Sequence, residues 1–519
     1  MKTISSREMR ILDENCSFLG LPPSLLMENA GRAVADEVSR LLGGLEGRRV
    51  VVVAGTGNNG GDGMAAARHM ASRGARVSVI LLGRGRNIRT GEARANWAIL
   101  REMRTTVSLY EAPTPDELAL AWSKAEAGSA DALVDAIFGT GLRGPMRSPF
   151  SEAVELLNSA GRPVISIDVP SGLDPDTGEP SDPTVRAQLT VTLHRPKPGL
   201  LAPGARDLVG ELVVADIGIP PEAELIVGPG DLRANLKPTR PPHAKKGDFG
   251  RILVVGGGPD YSGAPALTAL AALRTGADLA IVAAPRPVAP VIRSFSPNLI
   301  VRSLSSDRLV SDDLPLLMEL ARYATSVAVG PGLGLDEATS EAVRAFLGAV
   351  KDLRPLVVDA DALKALSGRP TLLYGSRAVL TPHSGELALL TGLEVPPPTD
   401  LEARMAFVKE VARKMGTTVL LKAHEDVISD GERVKVNITG NPGMTVGGTG
   451  DVLTGVVAML LSRGLEPFEA ACLGAFVNGM AGDLAVRELG YHITATDVIE
   501  RIPHVLRAYE EPELGAPGL

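Results

Sequence analysis

The stretch GTGNNGGDG at residues 55–63 decides the fold of the first half of the chain. It follows the apolar run VVVVA at 50–54 and precedes MAAARHMASRGARVSVILL at 64–82, so it is predicted to join a strand to a helix. The free N–H groups at the start of that helix would hold a phosphate. Two features depart from an ordinary dinucleotide fingerprint. A Leu-Gly-Arg sequence at 82–84 stands where an acidic residue is expected about 20 positions on, and Asp62 places a carboxylate beside the phosphate position.

The composition favours several α/β layers over a single core. A chain of 519 residues exceeds one compact core, so we expect at least two domains. Hydrophobic residues make up 45% and aromatic residues only 3%, which means that Ala, Val, Leu and Ile build the cores. The net charge of -8 gives no general basic surface. It therefore argues against nucleic acid as a partner and favours small molecules.

The cysteines and the amino terminus indicate the compartment. Cys16 and Cys472 are far apart and form no C-x-x-C pattern, so the sequence supports neither a disulfide framework nor a zinc cluster. The amino terminus carries charges without an apolar segment, and no run approaches the length of a membrane span. We therefore expect a soluble, cytoplasmic protein that has no membrane partner.

Strand-like and helical segments alternate through both halves of the chain. This alternation predicts mostly parallel sheets covered by helices, with a Rossmann-like three-layer α/β domain first. The pattern lapses after Pro220 into a segment rich in proline and charge, and a second strand, glycine loop and helix begins at GRILVVGGGPDYSGAPALTALAALR, residues 250–274. We place the boundary near residue 224, which gives domains at 1–224 and 225–519.

Polar side chains follow three predicted strands of the first domain. Asp135 and Asp168 stand in DAIFGTGLRGP and DVPSGLD, after apolar strands, and loops after parallel strands gather at one edge of a sheet. Asn59, Asp135 and Ser171 could then offer oxygens to one cation, and Asp168 is a candidate proton carrier. Any one of these residues alone is more typical of a turn or a helix cap. Their recurrence on successive strand ends favours a functional site over separate turn and cap roles.

Together GTGNNGGDG, DAIFGTGLRGP and IDVPSGLD resemble the NAD(P)H-hydrate epimerase domain over about the first 220 residues. The resemblance implies that Asp168 contacts the reacting end of a hydrated nicotinamide dinucleotide, and that Asn59, Asp135 and Ser171 bind potassium. It implies further contacts to this dinucleotide from two segments: Asn58, Asn59, Gly60, Gly61, Asp62, Gly139, Thr140, Gly141, Leu142, Arg143, Gly144 and Pro145.

The segment GGTGDVLTG at residues 447–455 is the most informative part of the second domain. Glycines before a helix present N–H groups to a phosphoryl group, and Asp451 could take a proton from a substrate hydroxyl. A helix cap explains a lone GTGD equally well. Lys422 ends the strand-like TTVLLK, where it could reach a nucleotide phosphate. By contrast, Asp361 in VVDADAL favours a helix cap, and His383 alone favours a polar turn residue.

Five segments jointly resemble the ADP- or ATP-dependent NAD(P)H-hydrate dehydratase, which has a ribokinase-like fold, over most of residues 225–505: HAKKGDFGRILVVGGG, VGPGLG, VVDADAL, LTPHSGEL and NPGMTVGGTGDVLTG. The resemblance implies that Asp451 activates the hydroxyl of the hydrate. It also implies that Ala264, Gly332 and His383 contact the hydrated dinucleotide. It implies nucleotide contacts from Lys422, Ala423, His424, Glu425, Asp426, Thr449 and Gly450. Magnesium, organised through Glu386, would neutralise the transferred phosphoryl group.

Three residues depart from the dehydratase pattern. Ala423 stands where glycine is expected, Ser384 where proline is common, and Asp278 where a small residue is usual. The first of these touches the predicted nucleotide site, so the choice between ADP and ATP stays open.

The favoured interpretation is one bifunctional repair enzyme acting on hydrated NADH and NADPH, NADHX and NADPHX. It would interconvert the R and S epimers in the first domain and dehydrate the S epimer in the second, with K⁺, Mg²⁺ and ADP or ATP, as a homo-oligomer. One alternative is a kinase for a vitamin precursor, since ribokinase-like folds share the G-x-G-D site. Another is a binding module whose first domain senses nicotinamide dinucleotides without chemistry.

Overall fold

The structure, a computed structural model, describes residues 2–141, 144, 146–236 and 240–509. The chain divides into two compact units, Met1–Glu224 and Leu225–Leu519. Each unit is built around its own β-sheet. No helix of the described ranges is long and apolar enough to cross a membrane.

The sheet of the first unit is entirely parallel. Its strands are β1 Arg49–Ala54, β2 Arg76–Leu81, β3 Val107–Glu111, β4 Ala132–Ala136, β5 Val164–Ile167, β6 Leu189–Leu193 and β7 Glu211–Ala215. Their spatial order is β3-β2-β1-β4-β5-β6-β7, with every neighbouring pair parallel. The strand order reverses between β1 and β4. In open α/β sheets, ligands bind outside the carboxyl ends of the strands at this switch point.

Helices cover both faces of this sheet. They are α1 Ser6–Phe18, α2 Pro23–Leu42, α3 Asn58–Ser72, α4 Gly91–Glu102, α5 Pro115–Lys124, α6 Phe150–Ser159, α7 Arg206–Val209 and α8 Pro221–Leu225. Val50 and Val52 of β1 belong to an apolar cluster with α1 to α4, whereas Val51 and Val53 belong to one with α5 and α6. Because side chains alternate across a strand, these are opposite faces. The predicted three-layer Rossmann-like arrangement is therefore confirmed.

The sheet of the second unit is mixed. Its strands are β8 Arg251–Val255, β9 Leu279–Ala284, β10 Leu299–Ser303, β11 Ser326–Val329, β12 Leu356–Val358, β13 Ala378–Leu380, β14 Thr418–Leu421, β15 Asp426–Ser429 and β16 Val434–Asn437. They lie in the order β10-β9-β8-β11-β12-β13-β14-β15-β16. The first seven strands of that order run parallel, while β15 and β16 form an antiparallel edge. The mostly parallel sheet predicted for this unit is confirmed.

The second unit carries the helices α9 Pro229–Asn235, α10 Gly263–Arg274, α11 Ala289–Phe295, α12 Leu314–Tyr323, α13 Glu337–Val350, α14 Ala360–Ala365, α15 Ser384–Thr391, α16 Leu401–Met415, α17 Thr449–Ser462, α18 Pro467–Leu489 and α19 Ala495–Tyr509. Helix α17 is apolar on all sides and is buried from Val452 to Leu461. Such a helix belongs to the core. The segment GGTG at 447–450, which leads into the first turn of α17, is therefore attached to a rigid support.

Candidate active sites

A cavity of about 790 Å³ lies at the carboxyl ends of the central strands of the first unit. The predicted dinucleotide contacts that line it are Asn58, Asn59, Asp62, Gly139, Thr140, Gly141 and Asp168. Gly60 and Gly61 lie in the first turn of α3 and face the protein interior instead, since a Cβ at Gly60 would lie 1.9 Å from Gly55 O and one at Gly61 2.5 Å from Met27 Cε on α2. Gly144 is not among the lining residues. Leu142, Arg143 and Pro145 lie outside the described residues.

The three predicted potassium ligands surround one short loop. Ser171 donates from Oγ to Asp135 Oδ1 at 2.6 Å and accepts from Phe138 N at 3.0 Å. The next residue, Gly139, is so close to Asn59 that a Cβ there would lie 3.1 Å from Asn59 Nδ2. That amide nitrogen donates to Ile167 O, whereas Asn59 Oδ1 is buried without a hydrogen-bond partner in the part of the chain described.

An unpartnered buried carbonyl oxygen is costly, so Asn59 Oδ1 indicates a bound group. Burial also raises the pKa of Asp135, although hydrogen bonds from Ser171, Ser166 and Ile137 oppose this effect. A cation beside Asp135 would favour its charged form. An amide, a carboxylate and a hydroxyl oxygen are the donors that such a hard cation takes.

Asp168 forms a buried ion pair at the end of β5. Its φ of +68° is rare for a residue with a side chain. Its Oδ1 accepts from Lys197 Nζ and from Leu193 N at 3.2 Å. Its other oxygen, Oδ2, faces the cavity loop, because a Cβ at Gly139 would lie 3.2 Å from it. Lys197 is fully buried, and nothing in the sequence singles it out except its place just after β6.

Two further carboxyl groups line the same cavity. Burial and then the charge of Asp168 raise the pKa of Asp13, on α1, to about 7, against the lowering effect of Lys197. Burial, Asp168 and Asp13 raise the pKa of Asp62 well above its ordinary value. This shift favours the uncharged form of Asp62, which lessens the phosphate repulsion expected from a carboxylate in this loop. Asp13 is a site residue that the sequence motifs do not reveal.

In the second unit, Asp451 lies in the first turn of α17 but does not cap it. The cap position is Gly448, with a φ of +96° and no side-chain cap. Within the described ranges the Asp451 carboxylate accepts no hydrogen bond. Burial and then the charge of Asp359 raise its pKa to about 7, although Lys422 lowers it. The carboxyl group is thus poised to exchange a proton near neutral pH.

Lys422 follows β14 and lies at the start of α17. Its Nζ is 2.8 Å from Asp359 Oδ1, and a Cβ at Gly450 would be 3.5 Å from this nitrogen. Asp359 also accepts from Thr454 Oγ1 on α17 at 2.8 Å. Burial alone would lower the pKa of Lys422, but Asp359, Glu386 and Asp451 outweigh it and raise the pKa. A fixed ammonium group therefore adds to the positive end of the helix, which suits a phosphate.

Three of the four predicted substrate contacts of this unit, Ala264, Gly332 and Asp451, meet near α10. Gly332 has a φ of +69°, and a Cβ there would lie 3.5 Å from Ala264 Cβ and 2.7 Å from Tyr261 Cβ. Thr268 Oγ1 lies 3.1 Å from Ala264 O and 3.0 Å from Asp451 O. Ala264, Gly332 and Asp451 are consequently neighbours.

His383 and Glu386 begin α15 as a capping box. Glu386 Oε2 accepts from His383 N at 3.0 Å, and His383 Nδ1 accepts from Gly385 N at 3.0 Å. Glu386 Oε1 lies 3.5 Å from His383 Nε2.

The expectation that Asp361 caps a helix is wrong, because its carboxylate accepts from Gly334 N at 2.9 Å and binds Lys364 instead. The Asp361 carboxylate thus fixes the VGPGLG loop, which ends at Gly334.

The turn between β14 and β15 holds the remaining predicted nucleotide contacts. Asp426 closes this turn, since its carboxylate accepts from Ala423 N and from Asn437 Nδ2, both at 3.0 Å. Burial raises the pKa of Asp426 to about 6. Ala423 and His424 are exposed, and Glu425 is half-buried. Thr449 Oγ1 donates to Met444 O at 2.9 Å and so fixes the approach to α17.

Comparison with known proteins covers both units. A family model described as NAD(P)H-hydrate dehydratase matches residues 252–504, and one described as YjeF-related protein N-terminus matches 24–199. A bifunctional NAD(P)H-hydrate repair enzyme Nnr of Pyrobaculum aerophilum is 52% identical over 98% of this chain and 99% of its own. The chain belongs to the bifunctional NAD(P)H-hydrate repair enzymes. The repair enzyme Nnr of Hyperthermus butylicus is 44% identical over 97% of this chain and 92% of its own.

Among solved structures, an ADP/ATP-dependent NAD(P)H-hydrate dehydratase from Bacillus subtilis, co-crystallised with ATP and Mg²⁺, is similar to part of this repair enzyme. It is 26% identical, covers 55% of this chain and 99% of its own, and has a TM-score of 0.46.

The departures from the repair-enzyme pattern have local explanations. The described non-glycine residues with positive φ are Glu126, Asp168, His194 and Ala360, so the backbone at Ala423 accepts a side chain. Ser384 is the first residue of α15, where serine and proline both fit. We therefore expect neither departure to disturb its helix or turn.

Asp278 holds the HAKKGDFG segment in place. Its carboxylate accepts from Gly247 N at 2.7 Å, from Phe249 N at 3.1 Å and from Arg240 at 2.7 Å. Burial by itself would raise the pKa of Asp278, but these hydrogen bonds outweigh it and lower the pKa. A small residue at this position could not make these three bonds.

Asp278→Ala is expected to reduce the free energy of unfolding by about 1–3 kcal/mol, because two backbone N–H groups and Arg240 lose their acceptor. Since the folded-state pKa is depressed, the stabilisation is present above the unfolded pKa of about 3.9 and lost as pH falls through the folded value. Urea unfolding at pH 7 and pH 3 measures both effects. Asp352→Ala, at an exposed position, is the control. Equal stability of the two variants at pH 7 would contradict the prediction.

Proposed function

We propose that the first unit interconverts the R and S epimers of NADHX and NADPHX, and that the second unit dehydrates the S epimer at the expense of ADP or ATP. The observation that carries this proposal is the placement of Asp451, with its pKa of about 7, at the start of α17 beside Lys422. Dehydration consumes one epimer only. An epimerase in the same chain makes the other epimer available.

Hydroxide is a poor leaving group, so the second unit phosphorylates the hydroxyl before it departs. Asp451 takes the hydroxyl proton, and the oxygen attacks the terminal phosphorus of the nucleotide. Lys422 and the N–H groups at Thr449 and Gly450 stabilise the transferred phosphoryl group. Loss of phosphate then restores the ring double bond, which leaves AMP or ADP, inorganic phosphate and NAD(P)H.

Magnesium fits the second site through the nucleotide. Mg²⁺ usually keeps several waters and reaches the protein through one or two carboxylates plus substrate phosphates. Glu386 Oε1 is the oxygen that remains for this role, because Oε2 accepts from His383 N within the capping box. When bound, the ion would neutralise charge on the phosphates.

In the first unit, the hydrated nicotinamide ring would lie against Asp168 Oδ2, the oxygen beside Gly139. Lys197 occupies the other oxygen and fixes the carboxylate. Asn58, Asn59 and the 139–141 loop line the cavity and would contact the dinucleotide. Asp168 is then the proton carrier at the reacting carbon.

Potassium would be held by Asn59 Oδ1, Asp135 and Ser171. A cation that binds only the folded state stabilises it, by about 2.7 kcal/mol at 100 times its Kd. We therefore expect KCl to raise the Tm of the first unit's transition above that in choline chloride of equal ionic strength. Asn59→Ala should lose this difference because it removes the unpartnered buried oxygen.

The matched control is Asn58→Ala, because the neighbouring Asn58 side chain is exposed and should not bind the cation. Its Tm should respond to KCl as the wild type does. An undiminished response in Asn59→Ala, or an equal Tm of the wild type in both salts, would refute the assignment.

The whole proposal is tested by recovery of reduced nicotinamide absorbance from a mixed R and S hydrate preparation, with ADP, ATP or neither. Full recovery with one nucleotide demonstrates both activities and identifies the phosphate donor. Recovery that stops when the S epimer is consumed removes the epimerase and favours a sensing role for the first unit. A stable phosphorylated product without recovery would indicate a small-metabolite kinase.

The homo-oligomeric state and the cytoplasmic location stay predictions. Light scattering of the purified full chain measures the first, and fractionation of the source cells measures the second. Separate assays with NADHX and NADPHX measure the substrate preference.

A further inference from the structure

Helix α1 brings a carboxyl group into the first cavity that no motif explains. Its amino end is fixed by a capping box between Ser5 and Glu8 and by a hydrogen bond from Ser6 N to Asp176 Oδ1 at 2.7 Å. Met9, Leu12 and Cys16 bury the apolar face of α1 in the core. Asp13 lies beside this face and lines the cavity. The helix is therefore a fixed support for Asp13.

The charged groups around Asp13 come from four elements. Asp62 faces it from α3, Asp168 from the end of β5 and Lys197 from the segment after β6, while Glu14 lies next to it on α1. Lys197 is already paired with Asp168. The cavity lining thus includes three carboxyl groups, one buried lysine and three arginines, Arg10, Arg89 and Arg147. Two of the carboxyl groups, Asp13 and Asp62, have no hydrogen-bonded or ion-paired side chain among the described residues.

Epimerisation of the hydrate needs proton transfer on both faces of the ring. Water adds to an enamine double bond at the carbon bonded to nitrogen, so the hydroxyl of the hydrate lies next to the ring nitrogen. To invert this carbon, the C–O bond must break on one face and form on the other. A single carboxylate fixed beside one face, such as Asp168, serves only that face.

We propose that Asp13 is a second catalytic residue of the epimerase site and carries the proton on the ring face opposite Asp168. This inference rests on the epimerase function proposed above. Asp13 is preferred to Asp62 because its side chain is more open to the cavity, whereas Asp62 is only 8% exposed. Asp62 lines the same cavity, and the charge of Asp13 helps to raise the pKa of Asp62.

The step balances in atoms and charge. Asp13 gives its proton to the hydroxyl oxygen as the C–O bond breaks, and both bonding electrons leave with the oxygen as water. The lone pair of the ring nitrogen stabilises the resulting cation. A water on the other face forms the new C–O bond and gives one proton to Asp168 Oδ2. The two carboxyl groups hold one proton before and after the step, and the reverse reaction returns it to Asp13.

The pKa of Asp13, raised to about 7, agrees with this role. Two carboxyl groups whose environments separate their pKa values are typical of paired acid and base catalysts. Because the pair must hold one proton, the epimerisation rate should fall as pH rises above about 7 and the last proton is lost.

The test is conversion of the pure R epimer, without nucleotide, by the full chain, followed by chromatographic separation of the epimers. Asp13→Asn should lower kcat by about 10²–10⁴-fold with little change in KM and should lose the alkaline fall of the pH profile. Asp13→Glu should restore part of kcat because it restores a carboxyl group. Asp36→Asn, an exposed surface position paired with Arg73, is the control and should match the wild type.

Thermal unfolding of the same variant shows whether the first unit stays folded, and dehydration of the S epimer shows that the second unit is intact. Wild-type chain that fails to interconvert the epimers would overturn the epimerase function itself, and this inference with it. With an active wild type, three results would overturn the inference alone: an unchanged kcat in Asp13→Asn, a change confined to KM, or an alkaline fall that persists in this variant.

Discussion

Asp451→Asn is expected to lower the dehydration rate by about 10²–10⁴-fold while nucleotide and hydrate still bind. The amide has the size of the carboxyl group but cannot accept the hydroxyl proton. The packing of α17 should survive, because within the described ranges the Asp451 carboxylate accepts no hydrogen bond that the change would break. Calorimetric titration with nucleotide and with hydrate measures binding, and absorbance recovery from the S epimer measures the rate.

The same residue predicts the pH dependence of dehydration. A general base acts only when deprotonated, and the pKa of Asp451 is raised to about 7 by burial and by Asp359. The rate of the wild type should therefore rise as pH increases through about 7. Asp352→Asn, an exposed position on the same unit, should keep the wild-type rate and profile. A fully active Asp451→Asn chain would remove Asp451 as the base.

Asp168→Asn is expected to lower the epimerisation rate by about 10²–10⁴-fold, because it removes the proton carrier fixed beside the cavity loop. Asparagine tolerates the φ of +68° at this position better than most residues, so the backbone should be retained. The change leaves the Lys197 ammonium group buried without its counter-charge. Breaking such a pair costs about 3–5 kcal/mol, so this variant should also be less stable.

A double variant, Asp168→Asn with Lys197→Met, separates the two effects. It removes the unpaired buried charge and should regain much of the lost stability, yet the epimerisation rate should stay as low as in Asp168→Asn. Thermal unfolding measures the stability, and interconversion of the pure R epimer measures the activity. Epimerisation at the wild-type rate in a folded single variant would remove Asp168 as the proton carrier.

The chain order of strands and glycine loops could be predicted from the sequence because these features are local. The turn GTGNNGGDG after the valine run of β1 depends only on neighbouring residues. The same is true of the turn GGTG that leads into the apolar helix α17. Asp135 and Ser171 could be paired in advance because the carboxyl ends of parallel strands meet at one edge of the sheet.

The direction of individual side chains could not be predicted in this way. Glu386, Asp361 and Asp426 stand in segments that suggest chemistry, but their carboxylates bond to nearby backbone or side-chain groups. A sequence shows that a carboxyl group is present at a strand end. Whether it faces a ligand or its own loop depends on distances of a few ångströms.

The sequence by itself determined the two α/β units, the glycine loops and the family, because periodicity, turn chemistry and motif spacing are properties of the chain. Only the tertiary structure placed Lys197 against Asp168 and Asp13 in the same cavity, since these contacts join distant segments. It also decided which carboxyl groups can exchange protons near neutral pH. Burial and neighbouring charges set the pKa values of Asp13 and Asp451, and neither quantity exists before the chain has folded.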